Sequence, residues 1–188
     1  DPFLRGKICH SLLQYLPSIN PTLWQQSALR YVRNRVPHIT NELAASIIDE
    51  TLEILGNPNL GDLFSSCSQS EVPIIATIPD PNGSKKSLRI AGQIDRLVIK
   101  EDEIIIVDFK TNRKAPFTLS EVSTAYLYQL AAYRMAMMQI FKDRPVRAGL
   151  LWTETPKLME IPLDILEKYT KDLWGLDINN LDDLIYYS

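Results

Sequence analysis

Apolar and polar positions alternate with two different periods along the chain, and the change comes near Glu71. Before it the spacing is helical. Residues 7–16, "KICHSLLQYL", carry a helix-compatible pattern closed by Pro17, while Trp24 to Val36 and Ile39 to Leu55 predict two more helices, the second ended by "GNPN". From Glu71 the period falls to two. "EVPIIATI", "SLRIAGQIDRLVI" and "IIIVDFK" predict three strands joined by the turn signals "PDPNGSK" and "KEDE", which makes a meander. A long helix from about Leu119 to Phe141 follows, then a strand in "VRAGLLWT", a short one near "KLMEI" and a helix from about Leu163. Helices first, then a meander, then helix and strand again, predict an α/β domain with a mixed sheet. On helical spacing, Leu127, Leu130, Ala131 and Met138 of the long helix are expected in the core.

Composition narrows the class. The chain has 188 residues, 45% hydrophobic and 23% charged, enough for one globular domain with its own core. No apolar run approaches the roughly 18–20 residues of a membrane span, and no basic-then-apolar leader opens the chain, so a cytoplasmic protein without a membrane partner is expected. Opening on "DPFLRG" without methionine points to a piece of a longer polypeptide. Twenty basic against 23 acidic residues give a net charge of -3. A protein that captures nucleic acid unaided is usually basic, so such a role here relies on a local patch or on a partner that delivers the strand. Candidates for that patch are Lys85, Lys86, Arg113 and Lys114 beside the predicted hairpins; a solvated surface explains the first two nearly as well.

The candidate chemistry lies in the third strand. Side chains alternate faces, so Asp108 and Lys110 project one way and Val107 and Phe109 the other. Closing the hairpin symmetrically around "KEDE" pairs Ile99 with Ile104, and stepping back along both strands sets Asp95 opposite Asp108 and Gln93 opposite Lys110. Opposed β-carbons lie about 4.5–5.5 Å apart, where two carboxylates need a shared proton or a cation between them. A lysine nearby offsets part of that charge and can orient water. Read alone, an Asp-x-Lys also fits an ordinary strand end, and a bulge at Gly92 would break the register.

Five segments together carry a resemblance. "RGKICHSLL" with His10, "SEVPI" with Glu71, "GQIDRLV" with Asp95, "IVDFKTNRKAP" with Asp108 and Lys110, and "YLYQLAAYRMAM" with Gln129 and Tyr133 resemble, in that order, the nuclease domain of the RecB family within the PD-(D/E)xK superfamily, in the form that ends AddA-type helicase-nucleases. The resemblance implies a restriction-endonuclease-like core, a mixed β-sheet flanked by helices. It implies a Mg²⁺- or Mn²⁺-dependent nuclease acting on DNA in double-strand-break repair. His10, Asp95, Asp108 and the carbonyl of Phe109 are then metal ligands, Lys110 is the catalytic lysine, Glu71 stands near the metal or scissile phosphate, and Gln129 and Tyr133 act from the helix after the catalytic strand.

Members that carry an iron-sulfur cluster need four cysteines; this chain has Cys9 and Cys67 alone, so no such cluster is expected. No "GxxxxGK" occurs, which leaves ATP to a helicase portion upstream in the same polypeptide, with a second, AddB-like helicase-nuclease subunit as partner. Two other readings stay open: a stand-alone structure-specific or restriction-type endonuclease, and a non-catalytic domain of the same fold that binds DNA or another protein chain.

Overall fold

A computed structural model describes residues 2–111 and 115–175. Five helices and five strands form the framework: α1 (Pro2–Tyr15), α2 (Trp24–Arg35), α3 (Asn41–Gly56), β1 (Ser68–Pro79), β2 (Ser87–Ile99), β3 (Ile104–Lys110), α4 (Thr124–Ile140), β4 (Val146–Trp152), β5 (Lys157–Glu160) and α5 (Leu163–Leu173). The strands form one sheet in the order β1-β2-β3-β4-β5.

That sheet is mixed. Asp80 starts the β1–β2 turn, its carboxylate accepting from the Asn82 N–H at 2.8 Å and from the Ser84 hydroxyl, while Gly83 takes a φ of 78° open to glycine without strain. β2 and β3 pair antiparallel from Ile99–Ile104 to Arg96–Val107, as the symmetric closing of "KEDE" predicts. β3 and β4 run parallel: Ile104 N–H donates to Pro145 O near the start of both strands, and Thr153 N–H to Lys110 O near their ends. Parallel neighbours need a crossover, and α4 supplies it. The fold is thus an α/β fold with a mixed sheet flanked by helices.

By internal contacts the described residues form two compact units, one within Asp1–Ser68, Phe109–Ala115 and Leu151–Leu158, the other within Gln69–Asp108, Pro116–Leu150 and Met159–Ser188. In the first, α1 buries Ile8, Cys9, Leu12, Leu13 and the following Leu16, a stripe at i, i+1, i+4 and i+5, and packs on α3, whose Thr51 hydroxyl lies 3.7 Å from the Cys9 sulfur. Burial pushes the Cys9 thiol pKa up, so it stays an inert thiol. Thr40 caps α3, its hydroxyl accepting from Leu43 N–H. Arg5 of α1 and Glu50 of α3 form an ion pair.

In the second unit α4 packs on β2 and on α5, with Tyr128 and Tyr169 edge to face at 4.8 Å. Leu127, Leu130 and Ala131 are buried as expected, whereas Met138 is 45% exposed. The last turn of α4 explains the correction: Met138, Gln139 and Ile140 are all exposed, and Met138 lines a surface groove with Met135, Lys142 and Lys171 of the α4 and α5 region. Several boundaries also move: β1 begins at Ser68, three residues before the expected Glu71, and α3 at Asn41, two after the expected Ile39. α1 begins five residues before the expected Lys7, and a short turn at Leu119–Glu121 precedes α4, which starts only at Thr124.

Candidate metal centre

Buried charge is concentrated on two strands. Asp95 and Arg96 of β2 and Asp108 and Lys110 of β3 are all buried, and Asp108 is 2% exposed. Charged groups seldom enter a core without partners, because desolvation costs several kcal/mol per ion. The ladder from Ile99–Ile104 to Arg96–Val107 has the register that the hairpin predicts, and Asp95 and Asp108 are the next residues on each strand.

Glu71 reaches this region by a different route. Along β1 the inward positions are Ile74 and Ile78, with Pro73, Ile75 and Thr77 outward, and strict alternation would send Glu71 outward with Pro73. Instead Glu71 has a φ of 53°, which makes it the one non-glycine residue of positive φ among the described residues. That left-handed turn breaks the alternation at a cost of about 1–2 kcal/mol. One carboxylate oxygen of Glu71 and one of Asp95 then lie within 4.8 Å of each other. Gln93 donates its side-chain amide to Glu71 Oε2 at 2.6 Å. Burial raises the Glu71 pKa, and the Arg96 guanidinium partly offsets the rise. Burial likewise pushes Arg96 down to about 10, against the pull of Glu71 and Asp95, so it stays charged at neutral pH.

Gln129 and Tyr133 lie one turn apart on α4, both buried. The Tyr133 oxygen accepts from the backbone N–H of Gln93 at 3.2 Å and from Gln129 Nε2 at 3.4 Å. Gly92 makes this approach possible: a Cβ there would stand 2.8 Å from Cζ of Tyr133 and 2.9 Å from Cε1. Burial raises the Tyr133 pKa, and Asp108 and Asp95 add to the rise, so the phenol keeps its proton. Gly92 is therefore a seat for a tyrosine ring, and the pairing beyond it holds the expected register.

In the first unit, the His10 ring on α1 meets the Phe109 ring edge-on at 5.8 Å, and the Phe64 ring lies 6.4 Å from that of Phe109, tilted by 32°. The Lys110 carbonyl is taken by Thr153 N–H of the strand end beside it, at 3.0 Å. Successive carbonyls of a strand point to opposite edges, so the Phe109 carbonyl points away from β4. Arg113 and Lys114 lie outside the described residues. Lys85 and Lys86 are exposed in the β1–β2 turn.

The profile of the PD-(D/E)XK nuclease superfamily matches residues 1–178. The chain belongs to that superfamily. Among curated proteins it is similar to an ATP-dependent helicase/nuclease component from Streptococcus pyogenes, 29% identical over 143 residues that make up 73% of this chain and 11% of that protein. The chain thus spans about a tenth of the length of that relative. Among solved structures it resembles a candidate exonuclease from Eubacterium rectale (11% identity, 87% of this chain and 64% of that one, TM-score 0.49) and a Vibrio cholerae protein (13%, 98% and 55%, TM-score 0.32). With both scores below 0.5, membership rests on the profile match.

For a superfamily nuclease the acids fit a hard divalent cation. Two oxygens on one Mg²⁺ or Mn²⁺ at about 2.1 Å are at most roughly 4.2 Å apart, so the Glu71–Asp95 spacing, bounded at 4.8 Å, needs little closure. Oxygen donors from a half-buried and a buried acid, with membership, support a metal-dependent nuclease activity. Gln93, Gly92 and Arg96 contribute to the site although sequence reasoning does not single them out for it. A glycine inside a strand pattern is the one signal for the first two, because it marks close approach of another group. No described helix is long and apolar enough to cross a membrane.

Proposed function

We propose that this chain hydrolyses DNA phosphodiesters as the exonuclease-type nuclease domain, one domain over its 188 residues, of a longer AddA-type helicase-nuclease that acts in double-strand-break repair in the cytoplasm. The observation that carries the reading is the β2–β3 register, whose ladder ends at Arg96–Val107 with a buried aspartate next on each strand. The likeness to a helicase/nuclease component supports the wider setting. In it, an upstream helicase domain of the same polypeptide uses ATP to feed the strand, and an AddB-like subunit is the partner. A net charge of -3 suits a domain to which DNA is delivered.

In this reading Asp95, Asp108, Glu71, His10 and the Phe109 carbonyl would hold Mg²⁺ or Mn²⁺. Oxygen donors dominate that set, and a single imidazole is compatible with either ion. When bound, the ion lowers the pKa of water and offsets charge on the phosphoryl oxygens. Lys110 orients the attacking water, in line with the departing 3' oxygen, to leave a 5' phosphate. Gln129 and Tyr133 hold the β2 backbone that carries Asp95, and Lys85, Lys86, Arg113 and Lys114 guide the DNA backbone.

The test is Mg²⁺- or Mn²⁺-dependent degradation of single-stranded DNA by the parent, Asp108→Ala and Lys110→Ala. Loss of cleavage in both variants is the expected result. Parent-like cleavage by both overturns the assignment.

A further inference from the structure

Glu71 and Asp95 are like charges at short range, and Glu71 is reached through a strained backbone. Repulsion and strain both favour swinging the Glu71 carboxylate away. What opposes this in the structure is a hydrogen bond from a neutral donor, the Gln93 amide at 2.6 Å from Oε2, together with the attraction of the Arg96 guanidinium. Arg96 already offsets part of the acids' charge, so a lysine or arginine in the place of Gln93 would hold the carboxylate but would cancel the negative charge that remains for a cation. An amide holds it and leaves the charge in place.

The amide is itself anchored. Gln93 donates its backbone N–H to the Tyr133 oxygen, the ring of Tyr133 lies against Gly92, and Gln129 donates to the same oxygen. With both lone pairs of that oxygen used, the hydroxyl is fixed from two sides. The line from α4 to β1 therefore runs Tyr133, backbone of Gln93, side chain of Gln93, Glu71.

We propose that Gln93 is a positioning residue of the acid site: it presents the Glu71 carboxylate to the cation beside Asp95, and Tyr133 acts on Glu71 through it. The proposal rests on the acid-site reading given above. Partners that orient metal-binding carboxylates are typically worth 10- to 100-fold in metal affinity or activity.

The experiment measures Mn²⁺ bound by the 188-residue chain, by loss of the free-ion paramagnetic resonance signal, together with the Mn²⁺ dependence of DNA cleavage and the thermal midpoint. Gln93→Leu keeps the length and removes the donor. It is expected to raise the half-saturating Mn²⁺ concentration about tenfold in both binding and cleavage, while the rate at saturating Mn²⁺ falls much less. Tyr133→Phe is expected to give a smaller shift in the same direction, and the double variant a shift no larger than that of Gln93→Leu, because the two act in series. A lowered thermal midpoint with parent-like Mn²⁺ dependence means that Gln93 is structural only, and overturns the proposal. Asp95→Ala separates the two levels. If it loses Mn²⁺ binding while Gln93→Leu keeps it, the acid site stands and the positioning role fails; if it binds Mn²⁺ as the parent does, the acid-site reading fails and takes the positioning role with it.

Discussion

Asp108 and Glu71 are both acids on strands of one sheet, on either side of β2, yet they are placed by opposite means. Asp108 sits in β3, buried at every position but Ile105, where strand period and hairpin register leave its side chain no second direction. Glu71 sits near the start of edge strand β1, half-buried, directed by one left-handed residue and one hydrogen bond. The sheet as a whole fixes the first; a local device holds the second. On the proposed reading, a site that combines them would have a rigid acid and an adjustable one.

The sharpest way to break this contrast is to remove each acid in turn. Asp108→Ala is expected to lower metal-dependent DNA cleavage by about a thousandfold, roughly 4 kcal/mol of transition-state stabilisation, and Glu71→Ala by only about tenfold. Equal losses in steady-state cleavage assays would erase the distinction. Gly92→Ala attacks the support of the adjustable side: the new methyl meets the ring of fully buried Tyr133, and urea titration should show a destabilisation of about 2–3 kcal/mol. Glu71→Gly relieves the backbone while removing the acid. It should raise stability by about 0.5–1 kcal/mol yet lower cleavage, an opposition that simple damage to the fold does not produce.

The smallest effect is expected far from the acids, at Arg147, which bonds Glu160 and Glu103 at the surface. Hydrogen bonds from Arg147 hold both carboxyls below their ordinary pKa. Acids with depressed folded pKa values stabilise the fold above their unfolded pKa and lose that contribution as pH falls through the folded value. Because the groups are exposed and screened, a double-mutant cycle of Arg147 and Glu160 should give about 0.5 kcal/mol at neutral pH and less in acid.

The same contrast governs what can be read from the sequence. β2 and β3 have the bounds expected from their apolar runs, and the register follows from "KEDE", since a short turn between two β-branched runs allows few ways to pair. Asp95 and Asp108 are legible for that reason. The placement of Glu71 is not: the residue sets a positive φ without being glycine, and no period or composition encodes that choice. Nor is the bond from Gln93 to Tyr133, which joins residues forty apart through a hydroxyl. Met138 misleads because helical spacing marks a face without saying where the covering elements end. The early start of α1 is hidden because polar residues Arg5 and Lys7 interrupt the apolar pattern there, while Arg5 is engaged with Glu50 of α3.

The parallel pairing of β3 with β4 bears on how the chain folds. The β2–β3 hairpin closes a short loop, whereas β4 joins β3 only after α4 has crossed over, and contacts of greater sequence separation form later. The β2–β3 ladder, with Asp95 and Asp108 next to its end, is therefore expected to form before β4 docks on β3. Folding rates measured with Ile99→Val and Leu150→Val should show it, the first slowing folding and the second mainly speeding unfolding. The acids then repel each other at the start of folding, so a divalent cation that binds them should quicken the folding reaction itself.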